Sequence, residues 1–72
     1  MFLYPNPVEG VLCVDGLAPG SKIKIFDDIG RLVFTGKYNQ NQNLNVSNLE
    51  PGVYIVNVNV NQNWISKKIV KR

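Results

Sequence analysis

Few side chains in this 72-residue sequence could act as catalysts, and none has a partner at a catalytic spacing. The single cysteine, Cys13, lies in an apolar run, and the chain has no histidine to serve as its base. We interpret Cys13 as a small buried apolar residue. Asp27 and Asp28 are adjacent, and adjacent residues of a strand point to opposite faces, so we assign them to a turn. These residue types argue against an enzyme.

The sequence also lacks the patterns of metal, cofactor and nucleic-acid sites. No group of ligands has the spacing of a metal site, and no glycine-rich loop matches a phosphate-binding motif. The net charge of +3 is small for a nucleic-acid binder, and the aromatic residues are dispersed along the chain. No apolar run approaches the roughly 20 residues of a membrane span. We expect no metal, no cofactor, no nucleic-acid partner and no membrane insertion.

The C-terminal end is rich in basic residues. Four of the eight lysines and arginines are Lys67, Lys68, Lys71 and Arg72. Lysines on an edge strand discourage unwanted strand pairing, which would explain this cluster without a binding function. The alternative is that a basic terminal strand is presented to a partner, and the residues taken alone favour the edge-strand explanation.

The composition predicts an all-β fold. Val, Ile and Thr total 17 residues and Ala appears once. Branched side chains lose rotamer freedom in a helix but suit a pleated sheet. Ten Asn, six Gly and four Pro interrupt the chain at short intervals, as turns require.

The alternation of apolar and polar residues predicts six or seven short strands in a compact antiparallel β-sandwich. Gly10 is a candidate bulge within the second strand, and 39–43 is predicted to be a solvated loop. The clearest strand is 53–61, where the valines should face the core and the asparagines should face water. A short apolar entry at 2–4 precedes the predicted strands, which are 8–14, 22–26, 31–38, 44–47, 53–61 and 64–71.

Four landmarks appear in a fixed order along the whole chain: Tyr4-Pro5-Asn6-Pro7-Val8, Asp27-Asp28-Ile29-Gly30-Arg31, Leu49-Glu50-Pro51-Gly52-Val53-Tyr54, and Lys67-Lys68-Ile69-Val70-Lys71-Arg72. Together they resemble the C-terminal sorting domain, type A, of the type IX (Por) secretion system of Bacteroidota. The resemblance implies a small Ig-like β-sandwich that catalyses nothing.

The resemblance also implies a role in export. Residues 1–72 would be a single sorting domain at the C-terminus of a longer secreted protein, covalently linked to an N-terminal cargo. An outer-membrane translocon would recognise the domain after the protein has entered the periplasm. A sortase-like cysteine protease would then remove it, leaving the cargo secreted or attached to the cell surface.

The resemblance assigns roles to individual positions. Pro5, Asn6 and Pro7 would form a rigid approach from the linker, and Gly30 and Gly52 would supply turns. Tyr54 would anchor the core below a Pro51-Gly52 turn. Asp27 and Leu49 complete the structural motif. Translocon recognition would involve Lys67, Lys68, Ile69, Val70, Lys71 and Arg72.

An alternative function is a non-catalytic β-sandwich module for adhesion or carbohydrate binding in an extracellular protein. Such a module would need exposed aromatic residues on which sugars stack. Tyr38 and Trp64 are the only candidates, and packing within hairpins explains both of them better.

Overall fold

Alternating branched and polar residues form seven strands in the computed structural model, which describes residues 2–38 and 43–72. No helix occurs among these residues. The strands are β1 (Phe2–Tyr4), β2 (Val11–Asp15), β3 (Lys22–Phe26), β4 (Leu32–Lys37), β5 (Asn43–Asn45), β6 (Gly52–Val60) and β7 (Asn63–Lys71).

The strands form two antiparallel sheets. One sheet has the order β1-β2-β5, and the other has the order β4-β3-β6-β7. The longest ladder joins β6 to β7 and runs from Gly52 opposite Lys71 to Val60 opposite Asn63. The predicted all-β, antiparallel fold is confirmed, and two sheets of three and four strands are compatible with a small Ig-like sandwich.

One apolar core holds the two sheets together. On β6, Tyr54, Val56 and Val58 are buried, while Asn57 and Asn59 on the opposite face are half-buried. The predicted core face of this strand is therefore confirmed. The buried core residues are Val8, Leu12, Val14, Ile23, Ile25, Tyr38, Leu44, Val46, Tyr54, Val56, Val58 and Ile69.

The predicted strand over 8–14 is wrong at its N-terminal end. β2 begins only at Val11, and Val8 instead forms an isolated parallel bridge with Lys71 of the other sheet. Gly10 is not a bulge within β2, and its carbonyl accepts a hydrogen bond from the Val46 N–H at 2.9 Å. The chain crosses from one sheet to the other here because the fully buried Val8 side chain belongs to the shared core.

The predicted turn at Pro51-Gly52 lies elsewhere. The hydrogen-bonded turn precedes it, with the Leu49 N–H donating to the Val46 carbonyl at 3.0 Å. Gly52 is the first residue of β6 and has a φ of 155°, a value that favours glycine. The reversal is therefore complete before the proline is reached.

Two smaller predictions concern Cys13 and the segment 39–43. Cys13 is half-buried, not buried, because Leu12 and Val14 on either side of it point into the core. Of the predicted loop 39–43, residues 39–42 lie outside the described residues, and Asn43 begins β5.

Candidate functional site

The basic C-terminal segment forms the second half of β7, which is an edge strand of the four-stranded sheet. Ile69 lies opposite Tyr54 and is fully buried. Lys71 is also buried, and its Nζ donates a hydrogen bond to the Arg72 carbonyl at 2.7 Å. Lys68 and Arg72 are exposed. The edge-strand explanation therefore does not apply to Lys71, whose side chain is not at the surface.

Residues 5–8, which we call the N-terminal clasp, cover the outer edge of this segment. The Asn6 side chain donates to the Lys68 carbonyl at 3.3 Å and accepts from the Val70 N–H at 3.0 Å. The Val8 N–H donates to the Val70 carbonyl, and the Arg72 N–H donates to the Val8 carbonyl, both at 2.8 Å. A carboxamide offers the same donor and acceptor as a peptide group, so Asn6 replaces a neighbouring strand.

The two proline residues of the clasp alternate with the residues that contact β7. The Tyr4–Pro5 and Asn6–Pro7 peptide bonds are both cis. Proline lacks an N–H, so neither Pro5 nor Pro7 can donate to β7, and the contact is made through Asn6 and Val8.

Asp27 organises the turn between β3 and β4. Its Oδ1 accepts from the Ile29 N–H at 3.1 Å and the Arg31 N–H at 2.8 Å, and its Oδ2 accepts from Arg31 Nε at 2.7 Å. Burial alone would raise the pKa of Asp27, but these hydrogen bonds and the Arg31 charge outweigh it and lower the pKa. Gly30 completes the turn with a φ of 86°. The assignment of Asp27 to a turn is confirmed.

Tyr54 anchors the start of β6. The ring is buried, and the hydroxyl donates to the Glu50 carbonyl at 2.6 Å. Burial raises the pKa of Tyr54, and the Glu50 carboxylate raises it further. Leu49 is partly buried and packs against the core. The expected core position of Tyr54 is correct, although the turn above it differs from the predicted one.

Comparison with known proteins identifies the family. Residues 2–72 match the family described as the secretion system C-terminal sorting domain. The chain belongs to this family of type IX sorting domains. No protein in the curated set matches it.

The structural motif residues of this sorting domain gather in two places. Pro5, Asn6 and Pro7 lie along the C-terminal half of β7. The Asp27–Arg31 turn and the 50–54 segment meet at one end of the four-stranded sheet. They line a small cavity of about 120 Å³ that includes Asp27, Arg31, Glu50, Gly52 and Tyr54. The four landmarks of the sequence thus become two spatial clusters.

One surface feature of the sorting domain does not follow from the sequence pattern alone. Trp64 is 48% exposed on the outer face of β7, and the Lys24 Nζ lies 5.3 Å from the centroid of its ring. Tyr38, by contrast, is buried in the core as hairpin packing predicts. The alternation of β3 and β7 could have placed Lys24 and Trp64 on outer faces, but their contact requires the strand order β3-β6-β7.

The described residues form neither a metal site nor a membrane-spanning helix. They contain no group of three or more Cys, Asp or Glu side chains arranged to hold a metal ion. They contain no helix of the length and apolarity needed to cross a membrane. The family is one of secretion signals and not a catalytic one.

Proposed function

We propose that this domain directs a covalently linked N-terminal cargo across the outer membrane by binding the type IX translocon, and that a sortase-like cysteine protease then removes it. The family match over residues 2–72 carries the proposal. A C-terminal type IX sorting signal implies export to the cell surface or the medium. Removal of the domain by the protease and its contact with the translocon go beyond the family match and belong to this proposal.

We further propose that the residues of the recognition segment, 67–72, have two different roles. The side chains of Lys67, Lys68 and Arg72 are exposed at the surface. Ile69 and Lys71 are buried, and Val70 is held by Asn6 and Val8. In the folded domain the first three residues would contact the translocon, and the other three would fix their positions.

A reporter fusion tests both proposals. The domain is fused behind a short linker to a fluorescent protein that carries a signal peptide, and the fusion is expressed in a Bacteroidota host. We expect the exported reporter to have lost the domain, and to retain it in a strain without the sortase-like protease. Mass spectrometry of the exported reporter distinguishes the two forms.

Variants of the same fusion test the recognition segment. Lys68→Gln with Arg72→Gln lowers the net charge by two without touching the core, and we expect about a tenfold loss of export. Asn43→Asp with Asn48→Asp makes the same charge change at exposed positions outside β7 and should leave export unchanged. Equal export by the two double variants would contradict a role for Lys68 and Arg72.

A further inference from the structure

The outer face of the four-stranded sheet has an unbalanced charge. All six lysines of the chain lie in this sheet, and register places four of them, Lys22, Lys24, Lys37 and Lys68, on its outer face. None of the five acidic residues, all of which are described, lies in any of its strands. Register places Lys37, Lys22, Asn59 and Trp64 in one row across the outer face. The next row contains Thr35, Lys24, Asn57 and Ser66.

The arrangement of these lysines opposes folding. Lys22 and Lys37 lie directly opposite each other on neighbouring strands, and like charges in this position destabilise a sheet. Within the described residues, no carboxylate lies within ion-pair distance of Lys22, Lys24 or Lys37. Since no carboxylate of the described residues pairs with these lysines, their charge is available to an external anion.

Trp64 lines two open cavities. One, of about 550 Å³, is lined by Lys22, Asn59, Asn61 and the 18–21 loop. The other, of about 350 Å³, is lined by Lys22, Lys24 and Lys37. Trp64 and Lys22 contribute to both cavities. A partner's side chain that enters either cavity can therefore meet both the indole ring and an ammonium group.

The next row of the outer face is mostly apolar. It contains Phe26 and Ile55, both half-buried, and Leu32, which is 51% exposed, and it ends on β7 at the exposed Lys68. Val53, the next outward residue of β6, is also exposed. A face that joins an apolar area to aromatic and basic side chains suits a protein surface. A nucleic acid or an anionic glycan would leave the apolar half uncovered.

We propose that this Lys/Trp face, formed by Lys22, Lys24, Lys37 and Trp64, docks an acidic surface of a protein partner. The inference rests on the proposed function, because it names the chemistry of the surface that reads the sorting domain. The Lys/Trp face lies beside the exposed Lys68 side chain on the same side of the sheet. The partner would thus read the sheet face together with the C-terminal strand.

Binding to a model polyanion gives the first test. Trp64 is the single tryptophan of the chain, so its fluorescence reports on the face directly. We expect poly-L-glutamate to change this fluorescence at low salt, and roughly 0.5 M salt to reverse the change. Lys22→Gln with Lys37→Gln should weaken the apparent Kd about tenfold. Asn43→Asp with Asn48→Asp, the charge-matched control, should change it less than about twofold.

Two further probes decide the class of partner. Heparin represents an anionic glycan, and a single-stranded oligonucleotide represents a nucleic acid. Either probe binding more tightly than poly-L-glutamate at equal charge concentration and ionic strength would overturn the assignment to an acidic protein. Thermal melts check the fold, and Lys22→Gln with Lys37→Gln should melt no lower than the wild type because it removes a repulsion.

Export of the reporter fusion links binding to function. We expect the wild-type fusion to be exported and the Lys22→Gln, Lys37→Gln fusion to be exported about tenfold less. Equal export of the two fusions would overturn this inference and leave the proposed function intact. Failure of the wild-type fusion itself would overturn the proposed function, and with it this inference.

Discussion

The two sheets of this domain share one core but have different outer faces. The four-stranded sheet contains every lysine and no acidic residue, whereas the three-stranded sheet contains no basic residue and one acid, Asp15. The buried apolar residues on the inner faces of both sheets form a single cluster. Packing therefore constrains only the inner faces, and the outer face of the larger sheet is where charge has accumulated.

The largest expected effect tests the shared core. Val58→Asp places a carboxylate at a fully buried position in the core between the two sheets. An unpaired buried charge costs several kcal/mol. A core of this size supplies only about 3–5 kcal/mol, so we expect the domain to unfold as a whole. Circular dichroism melts provide the measurement.

The neighbouring position is the control for this change. Asn59→Asp introduces the same charge on the outer face of the same strand, where the side chain is half-buried beside Lys22. Its melting temperature should stay close to that of the wild type. Similar melts for both variants would show that the inner and outer faces of β6 are not distinguished as we describe.

The next effect tests the connection between the two sheets. Asn6→Ala removes two hydrogen bonds to β7 and should cost about 2 kcal/mol, at about 1 kcal/mol for each bond. Urea unfolding measures the loss, and hydrogen exchange should show a faster-exchanging Val70 amide. Asn6→Asp can still accept from Val70 but cannot donate to Lys68, so about half the loss is expected. A wild-type exchange rate at Val70 in Asn6→Ala would argue against the clasp.

How far the sequence predicts this architecture depends on the range of the interactions. Alternation over 53–61 identified the core face of β6, and the Asp27 turn could be predicted because its hydrogen bonds span at most four residues. The clasp joins positions 62 and 64 residues apart, and no local pattern announces it. Because no local pattern indicates the bridge between Val8 and Lys71, the alternation wrongly predicts that Val8 belongs to β2.

The burial of Lys71 illustrates a conflict between two local rules. Alternation places Lys71 on the same face as Ile69, which is the inner face, whereas its charge and terminal position predict exposure. In the structure Lys71 follows the alternation and is buried, because its ammonium group can donate a hydrogen bond to the Arg72 carbonyl.

A smaller effect concerns the hairpin of the four-stranded sheet. The lowered pKa of Asp27 means that the unfolded chain binds its proton more readily, so the ionised carboxylate stabilises the fold. This contribution is present above the ordinary carboxyl pKa of about 4 and is lost as the pH falls through the lower folded value. Asp27→Asn should lower the urea midpoint at pH 7, and the difference should shrink as the pH falls below the ordinary carboxyl range.

The adjacent carboxyl group is the control for this pH dependence. Asp28 is exposed, and no hydrogen bond to its side chain is seen in the described structure. Asp28→Asn should therefore leave the urea midpoint and its pH profile close to those of the wild type. A difference between Asp27→Asn and wild type that persisted unchanged at pH 2 would contradict the role of the ionised carboxylate.

The smallest effect concerns a single hydroxyl group. Tyr54→Phe keeps the buried ring but removes the hydrogen bond to the Glu50 carbonyl, and should cost about 1 kcal/mol in urea unfolding. Tyr4→Phe makes the same chemical change at an exposed ring of the three-stranded sheet and should have almost no effect. A stability of Tyr54→Phe equal to that of the wild type would show that the Tyr54 hydroxyl does not stabilise the domain.

The central claim is that this domain is a sorting signal for the type IX system. The most direct test is the surface and medium fraction of the wild-type reporter fusion in two otherwise identical Bacteroidota strains, one with and one without a working translocon. We predict export only in the strain with the translocon, and accumulation in the periplasm of the other. Periplasmic retention in both strains, or export in both, would contradict the claim.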